Sequence, residues 1–303
     1  MRRLHAAQAT AALAVGLIIL GANAAPASAQ QTAGQQTTTL HVDVMSRGSS
    51  SLLGIRKAKA AVPVARMHAT SQQRVGHVLK NLSLYRKLPD IRCETDPRVV
   101  DYFLANPDVA VDIWRVLGVS EVTMTRTGAN SFAADDGQGS RGTLHVVYRD
   151  TQQQVLLCDG VFVNPVSKKP IRAEAVIHFR HRTERSRDGR TFSRHDATMF
   201  ISLPSNTVEA VARAISPVSN KLADQNFEEV SRFVRMMNVA MTEQPDWIDS
   251  LAARLANISQ PRREELVALS QQVYVGAGGT LPGVPNRAAR VQMATGQAAT
   301  QTR

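Results

Sequence analysis

Between Ser120 and Pro245 the apolar residues recur with two different periods, first two and then 3.6. The period-two stretches predict strands. Glu121–Thr127 sets Val122 and Met124 against threonines, and Ser131–Ala134 is short. Thr143–Arg149 places Leu144, Val146 and Tyr148 on one face. Val155–Val163 is apolar on both faces apart from Asp159, as a central strand is. Ile171–Arg182 and Phe192–Leu203 are long and alternating, and Asp188-Gly189 between them is a two-residue hairpin signal. A turn centred there makes His181 face Asp196 and Arg182 face His195. It also puts Ile177, Phe179, Phe192 and Phe200 on one face.

The second period belongs to a long helix. Phe227, Val230, Val234, Met237 and Met241 recur at steps of three and four, so they stack on one helical face. Phe233, Met236 and Ala240 widen the stripe, while Glu228, Glu229, Arg232 and Arg235 take the other side. Ser216-Pro217 supplies the start and Pro245 the stop. A stripe this broad needs a large apolar partner, and the strands before it are the obvious one.

Helical patterns flank this body. Val78, Leu79, Leu82 and Leu84 predict a short helix broken at Leu88-Pro89. Asp96-Pro97 reads as an N-cap with proline at the first helical position. Val99, Val100, Phe103 and Leu104 give that helix its buried side. Asn106-Pro107-Asp108 interrupts it, and Val109, Ile113, Trp114 and Leu117 carry a second piece to Gly118. Downstream, Asn206 with Glu209 marks a small capped helix. Trp247, Ile248, Leu251, Leu255 and Ile258 suit another, and Leu266, Leu269 and Val273 a last one.

Leading helices, then five to six antiparallel strands, then a long C-terminal helix make an α+β layout. In that order of elements, and in its helix Phe227–Met241, the chain resembles the START / polyketide-cyclase-like (SRPBCC, helix-grip) superfamily over about Pro97–Gln244. The resemblance implies a curved sheet packed on the long helix around a cavity, with His41–Met45 the nearest candidate for the strand that leads such folds. It rests on no diagnostic motif and transfers no functional residue.

The chain begins with Arg2-Arg3, an apolar run over Leu13–Leu20 and Ala27-Ser28-Ala29, the three regions of a secretory signal peptide. The competing reading is an uncleaved N-terminal anchor. The expected organisation is a signal peptide at 1–29, a flexible basic linker at 30–75 and the helix-grip-like domain at 76–245. A helical extension at 246–275 and a disordered tail at 276–303 follow. Export, to the periplasm or beyond the cell, exposes Cys93 and Cys158 to oxidation, so they either bridge or lie as two separate buried thiols. Two cysteines cannot staple a scaffold of this size, and a 43% hydrophobic content is enough for a core.

The net charge of +11 is concentrated early. Leu40–Arg92 holds ten Lys/Arg against Asp43 and Asp90. Such a stretch is either a solvated arm or a contact for an anionic envelope surface. No aromatic residues interleave with the charges, so nucleic acid is not an expected partner.

No motif specifies a reaction. Gly137-Gln138-Gly139-Ser140-Arg141-Gly142 fits G-x-G-x-x-G, but a strand follows it where a dinucleotide site needs a helix. It reads as a hairpin turn. His178, His181 and His195, with Glu174 and Asp196, suggest a metal site only until strand geometry turns His178 and His181 to opposite faces. His181 opposite Asp196 forms either a general base with its orienting carboxylate or a cross-strand charge pair. No cofactor, metal or nucleophile is expected.

The leading expectation is an exported protein that binds a hydrophobic small molecule or lipid between sheet and helix. Phe227, Val230, Val234, Met237, Met241, Phe179 and Phe200 are its pocket-lining candidates. A cell-envelope interaction protein using the basic arm is the alternative, and a cyclase- or hydrolase-like enzyme using His181 or His195 is the third reading.

Overall fold

The computed structural model describes residues 40–137, 139–163, 170–203 and 217–280. The leader, the Asn206–Glu209 cap and the tail beyond Thr280 lie outside the described residues. The described elements begin with β1 (Asp43–Ser46), α1 (Ile55–Ala61), α2 (Ala69–Lys80), β2 (Leu84–Lys87) and β3 (Asp90–Glu94). Next come α3 (Pro97–Ala105), α4 (Pro107–Val116), β4 (Thr123–Gly128), β5 (Ser131–Asp135) and β6 (Ser140–Arg149). The chain continues through β7 (Gln153–Val163), β8 (Pro170–Arg185), β9 (Thr191–Ser202), α5 (Pro217–Glu243), α6 (Pro245–Ala253) and α7 (Gln260–Gly276).

The class is α+β, with one large antiparallel sheet. It has nine strands where five to six were expected, in the order β1-β3-β9-β8-β7-β6-β5-β4, with β2 also on β9. The additional strands are β1, β2 and β3. β2 and β3 pair with successive stretches of β9, Leu84 opposite Ile201 and Ile91 opposite His195. At four or five residues each, they carry too few alternations to show a period. Leu84, read from sequence as the end of a helix, opens β2 instead, because α2 stops at Lys80. The expected flexible linker at 30–75 holds β1, α1 and the start of α2 within its described part.

The local signals around α3 and α4 act as their chemistry requires. Asp96 accepts from the Arg98 backbone N–H at 2.9 Å, which satisfies one of the orphan donors of α3. Pro97 and Pro107 occupy first-turn positions, and Gly118, at φ 71°, takes the left-handed position just after α4.

The β8–β9 hairpin departs from its expected register by one residue. The Ser186 N–H donates to Arg190 O and the Gly189 N–H to Ser186 O, so Arg187, Asp188 and Gly189 form a three-residue loop. Gly189 adopts φ 85° there, which glycine reaches without strain. His181 therefore faces His195, Arg182 faces Arg194 and Asp196 faces Arg180. A slip of one residue exchanges the faces of one strand relative to the other. Ile177 and Phe179 share a face with His195 and Ala197, while Phe192 and Phe200 lie on the opposite face with Val176.

Of the two readings of the cysteines, separate buried thiols is the one observed. Cys93 and Cys158 are both free and buried. β9 and β8 lie between β3 and β7, which separates the two residues by about 14 Å across the sheet. Their rows also meet β9 at different places, Cys93 at Ser193 and Cys158 at Ile201, which adds roughly 26 Å along the strands and puts a disulfide out of reach. Burial raises the pKa of each thiol.

The chain comprises two compact units, one ending at Met236 and one starting at Met237. The second comprises the last turns of α5 with α6 and α7, where Ile248, Leu251, Leu255, Ile258 and Leu266 are buried.

Candidate functional site

Alternation along the central strands sends two sets of side chains to two environments. Val155, Leu157, Val176 and Phe200 enter a closed cluster with Met67, Val75, Val78 and Leu79 of the α1–α2 segment. Leu156, Ile177, Phe179, His195 and Ala197 face α3, α4 and the middle turns of α5. That second face is incompletely filled and borders a partly open cavity of about 130 Å³.

Three groups of side chains line the cavity besides the strands. Val100, Phe103 and Leu104 come from α3, Ala110 and Trp114 from α4, and Phe227, Val230, Phe233 and Val234 from α5. Phe233 meets Phe103 and Trp114 edge-on, with ring centroids 5.2 and 5.4 Å apart. Such rings hold their angles at contact, and three rigid rings in a corner leave space that flexible chains would fill. Gln154 is one of three polar residues in the lining, and its carbonyl oxygen accepts from Arg149 Nε at 2.8 Å.

His195 and Ser231 are the other two. The Ser231 hydroxyl donates to the Phe227 carbonyl at 2.8 Å, and His195 Nε2 lies 2.8 Å from the same hydroxyl oxygen. With its proton already committed, that oxygen accepts, so the geometry assigns the proton of His195 to Nε2. Nδ1 is then a bare acceptor, and it is buried with no partner among the described residues. Burial, and secondarily the neighbouring His181, holds the pKa of His195 down at about 4, so the ring is neutral near pH 7. The ring stacks on Phe179 at 5.7 Å and receives Phe227 edge-on at 5.7 Å.

Polar contacts tie α5 to this face. Arg86 of β2 makes a two-pronged ion pair with Asp224, its Nε 3.1 Å from Oδ1. A Cβ at Gly48 would press on the Asp224 carboxylate and the Arg86 guanidinium, so a larger residue there has to displace the ends of this ion pair. Arg235 approaches Glu94 of β3 at 3.7 Å.

Four of the residues expected to line a pocket do so: Phe179, Phe227, Val230 and Val234. Phe200 does not, because the register places it in the cluster on the other face. Met237 and Met241 are fully buried, belong to the second unit and do not line the cavity. Asp196, expected opposite His181, pairs with Arg180 at 2.7 Å. His181 instead lies 3.9 Å from Asp101. His178 points to the other face, bonds Gln153 at 2.8 Å, and has its pKa lowered to about 4, chiefly by burial. No group of three or more His, Cys, Asp or Glu among the described residues is arranged to hold a metal. Sequence reasoning missed Ser231 and the part of His195. A serine inside an apolar helical stripe was the available signal.

No protein-family model matches the chain, and no curated protein matches it. Among solved structures it is similar to a conserved protein from Geobacillus kaustophilus, at 12% identity and a TM-score of 0.35, over 50% of this chain and 93% of that one.

Proposed function

We propose that the protein binds a small, neutral, hydrophobic molecule carrying one hydrogen-bond donor, in the cavity between the sheet and α3, α4 and α5. The observation that carries this reading is an apolar cavity whose lining includes a histidine with one unpartnered nitrogen. Leaving a buried acceptor unsatisfied costs about 1–3 kcal/mol, and a ligand hydroxyl or N–H would recover it. An anionic ligand fits poorly, since a lone pair repels it and no Lys or Arg lines the space. The volume favours a compact ring over a whole lipid: an apolar cavity of about 150 Å³ stays dry and takes benzene.

The sheet and α5 are read here as a helix-grip-like arrangement, and the signal-like leader as placing the protein outside the cytoplasm. The reading involves binding without catalysis. His195 has no carboxylate orienting its second nitrogen, and His181 is not paired with Asp196.

Calorimetric titration with substituted phenols and their O-methyl ethers tests the proposal. Phenols should bind about tenfold more tightly than the ethers, and His195→Phe should erase that difference. Val230→Trp, which fills the space, should abolish binding of both. Undiminished binding to the filled variant would remove the cavity as the site.

A further inference from the structure

A different part of the molecule carries an interaction surface, independent of the cavity. The 3₁₀ turn Leu52–Gly54 presents two adjacent leucines to solvent, Leu52 at 81% and Leu53 at 95% exposure. Single exposed leucines are ordinary, but two neighbours held out on an ordered turn contribute nothing to the core and raise the cost of solvation. The turn runs directly into α1, whose Ala58 packs on the α2 side of the sheet. Arg56 and Lys57 fall on the outward face of that helix and are exposed, with Lys59 half-buried beside them.

Along the chain, the charge on both sides of this turn is of one sign. No Asp or Glu occurs anywhere from residue 44 to residue 89. Arg66, Arg74 and Arg86 in that span pair with acids elsewhere, whereas Arg47, Arg56, Lys57 and Lys59 make no ion pair among the described residues. No helix among the described residues is long and apolar enough to cross a membrane.

We propose that Leu52 and Leu53, backed by Arg56, Lys57 and Lys59, form a shallow insertion point for an anionic lipid surface. Two leucines next to cations match the two layers of such a surface: aliphatic chains below, phosphate-bearing headgroups above. A soluble polyanion would use the cations but has nothing to offer the leucines. Nucleic acid would call for stacking aromatics, which this turn and helix lack.

The test is co-sedimentation of the full 303-residue chain with vesicles of pure phosphatidylcholine and of phosphatidylcholine carrying about 30 mol% phosphatidylglycerol. The unaltered protein should prefer the anionic vesicles. Leu52→Ser with Leu53→Ser should lower that partition at least about tenfold, with an unchanged melting temperature because both side chains are solvated already. Arg56→Glu with Lys57→Glu should lower it by a comparable factor, as should high salt. Leu53→Trp should shift its emission to the blue on anionic vesicles. The proposal is overturned if the double serine variant partitions within about twofold of the parent, which is less than one inserted leucine contributes. It is equally overturned if the tryptophan emission stays put, or if soluble polyphosphate binds parent and serine variant alike and displaces both from vesicles.

Discussion

The two faces of the central strands, built from neighbouring residues of the same segments, have opposite interiors. Towards α2, Val155, Val176 and Phe200 are wholly buried and meet Val75 and Val78, aliphatic groups that interdigitate with little waste. Towards α3, α4 and α5, rings dominate: Phe103, Trp114, Phe179, Phe227 and Phe233 meet edge-on or stacked and leave a void. Ion pairs flank both attachments: Arg74 of α2 meets Asp159 and Glu174 of the sheet, and Arg86 meets Asp224 of α5. Only on the α5 side does a hydrogen bond, His195–Ser231, lie inside the apolar interior. The aliphatic cluster and the aromatic hollow thus lie on opposite faces of the same strands.

That contrast predicts unequal responses to truncation. Phe200→Ala should cost about 3–5 kcal/mol in denaturant unfolding, since a ring with no exposure is lost from a filled face. Val230→Ala on the cavity side should cost about 1 kcal/mol or less, because its neighbours already lack close partners. Equal losses at the two positions would break the distinction between the faces.

Acid should act through the buried histidines. Both His178 and His195 are held at about 4, against 6.5 for an ordinary imidazole, chiefly by burial. Between those values the unfolded chain binds more protons than the folded one, so stability falls as pH drops from about 6.5 to about 4. His195→Gln should flatten that decline by on the order of 3 kcal/mol, measured as unfolding free energy across the range. An unchanged slope would mean that the imidazole is not sequestered beneath α5.

Arg86→Ala removes the stronger polar tie and leaves Asp224 half-buried without its partner, for an expected loss of about 2 kcal/mol. Pairing it with Asp224→Asn should recover part of that loss, as read by thermal melting. A comparably small effect concerns the hairpin that decides which residues meet which face. Gly189→Ala forces a side chain into φ 85° and should cost about 1 kcal/mol, with no change in the cavity.

Much of the fold could be read from periodicity. The patterns over Thr143–Arg149, Val155–Val163 and Phe227–Met241 are long enough to declare their type, and Asp96-Pro97 and Pro245 declare their ends. β2 escaped because Leu84–Lys87 shows no alternation, and β3 because the alternation of Asp90–Glu94 runs for only five residues. The candidate site was half legible. Phe179, Phe227, Val230 and Val234 could be found from their spacing, but Phe200 was misplaced by one residue of register. Met237 and Met241 continue the same stripe, yet they belong to another compact unit.

The order of apolar and polar residues settled, without help, which segments extend and which coil, because those periods are local properties of the backbone. It also settled that the early chain is basic. The tertiary structure decided what no local period encodes. A three-residue loop in place of a two-residue one chose the face on which each ring of β8 and β9 lies. The meeting of Phe103, Trp114 and Phe233 at fixed angles determined that the α3–α5 side of the sheet would keep an apolar hollow. Such vacancies are differences between large packed volumes, set by contacts among residues distant in the chain.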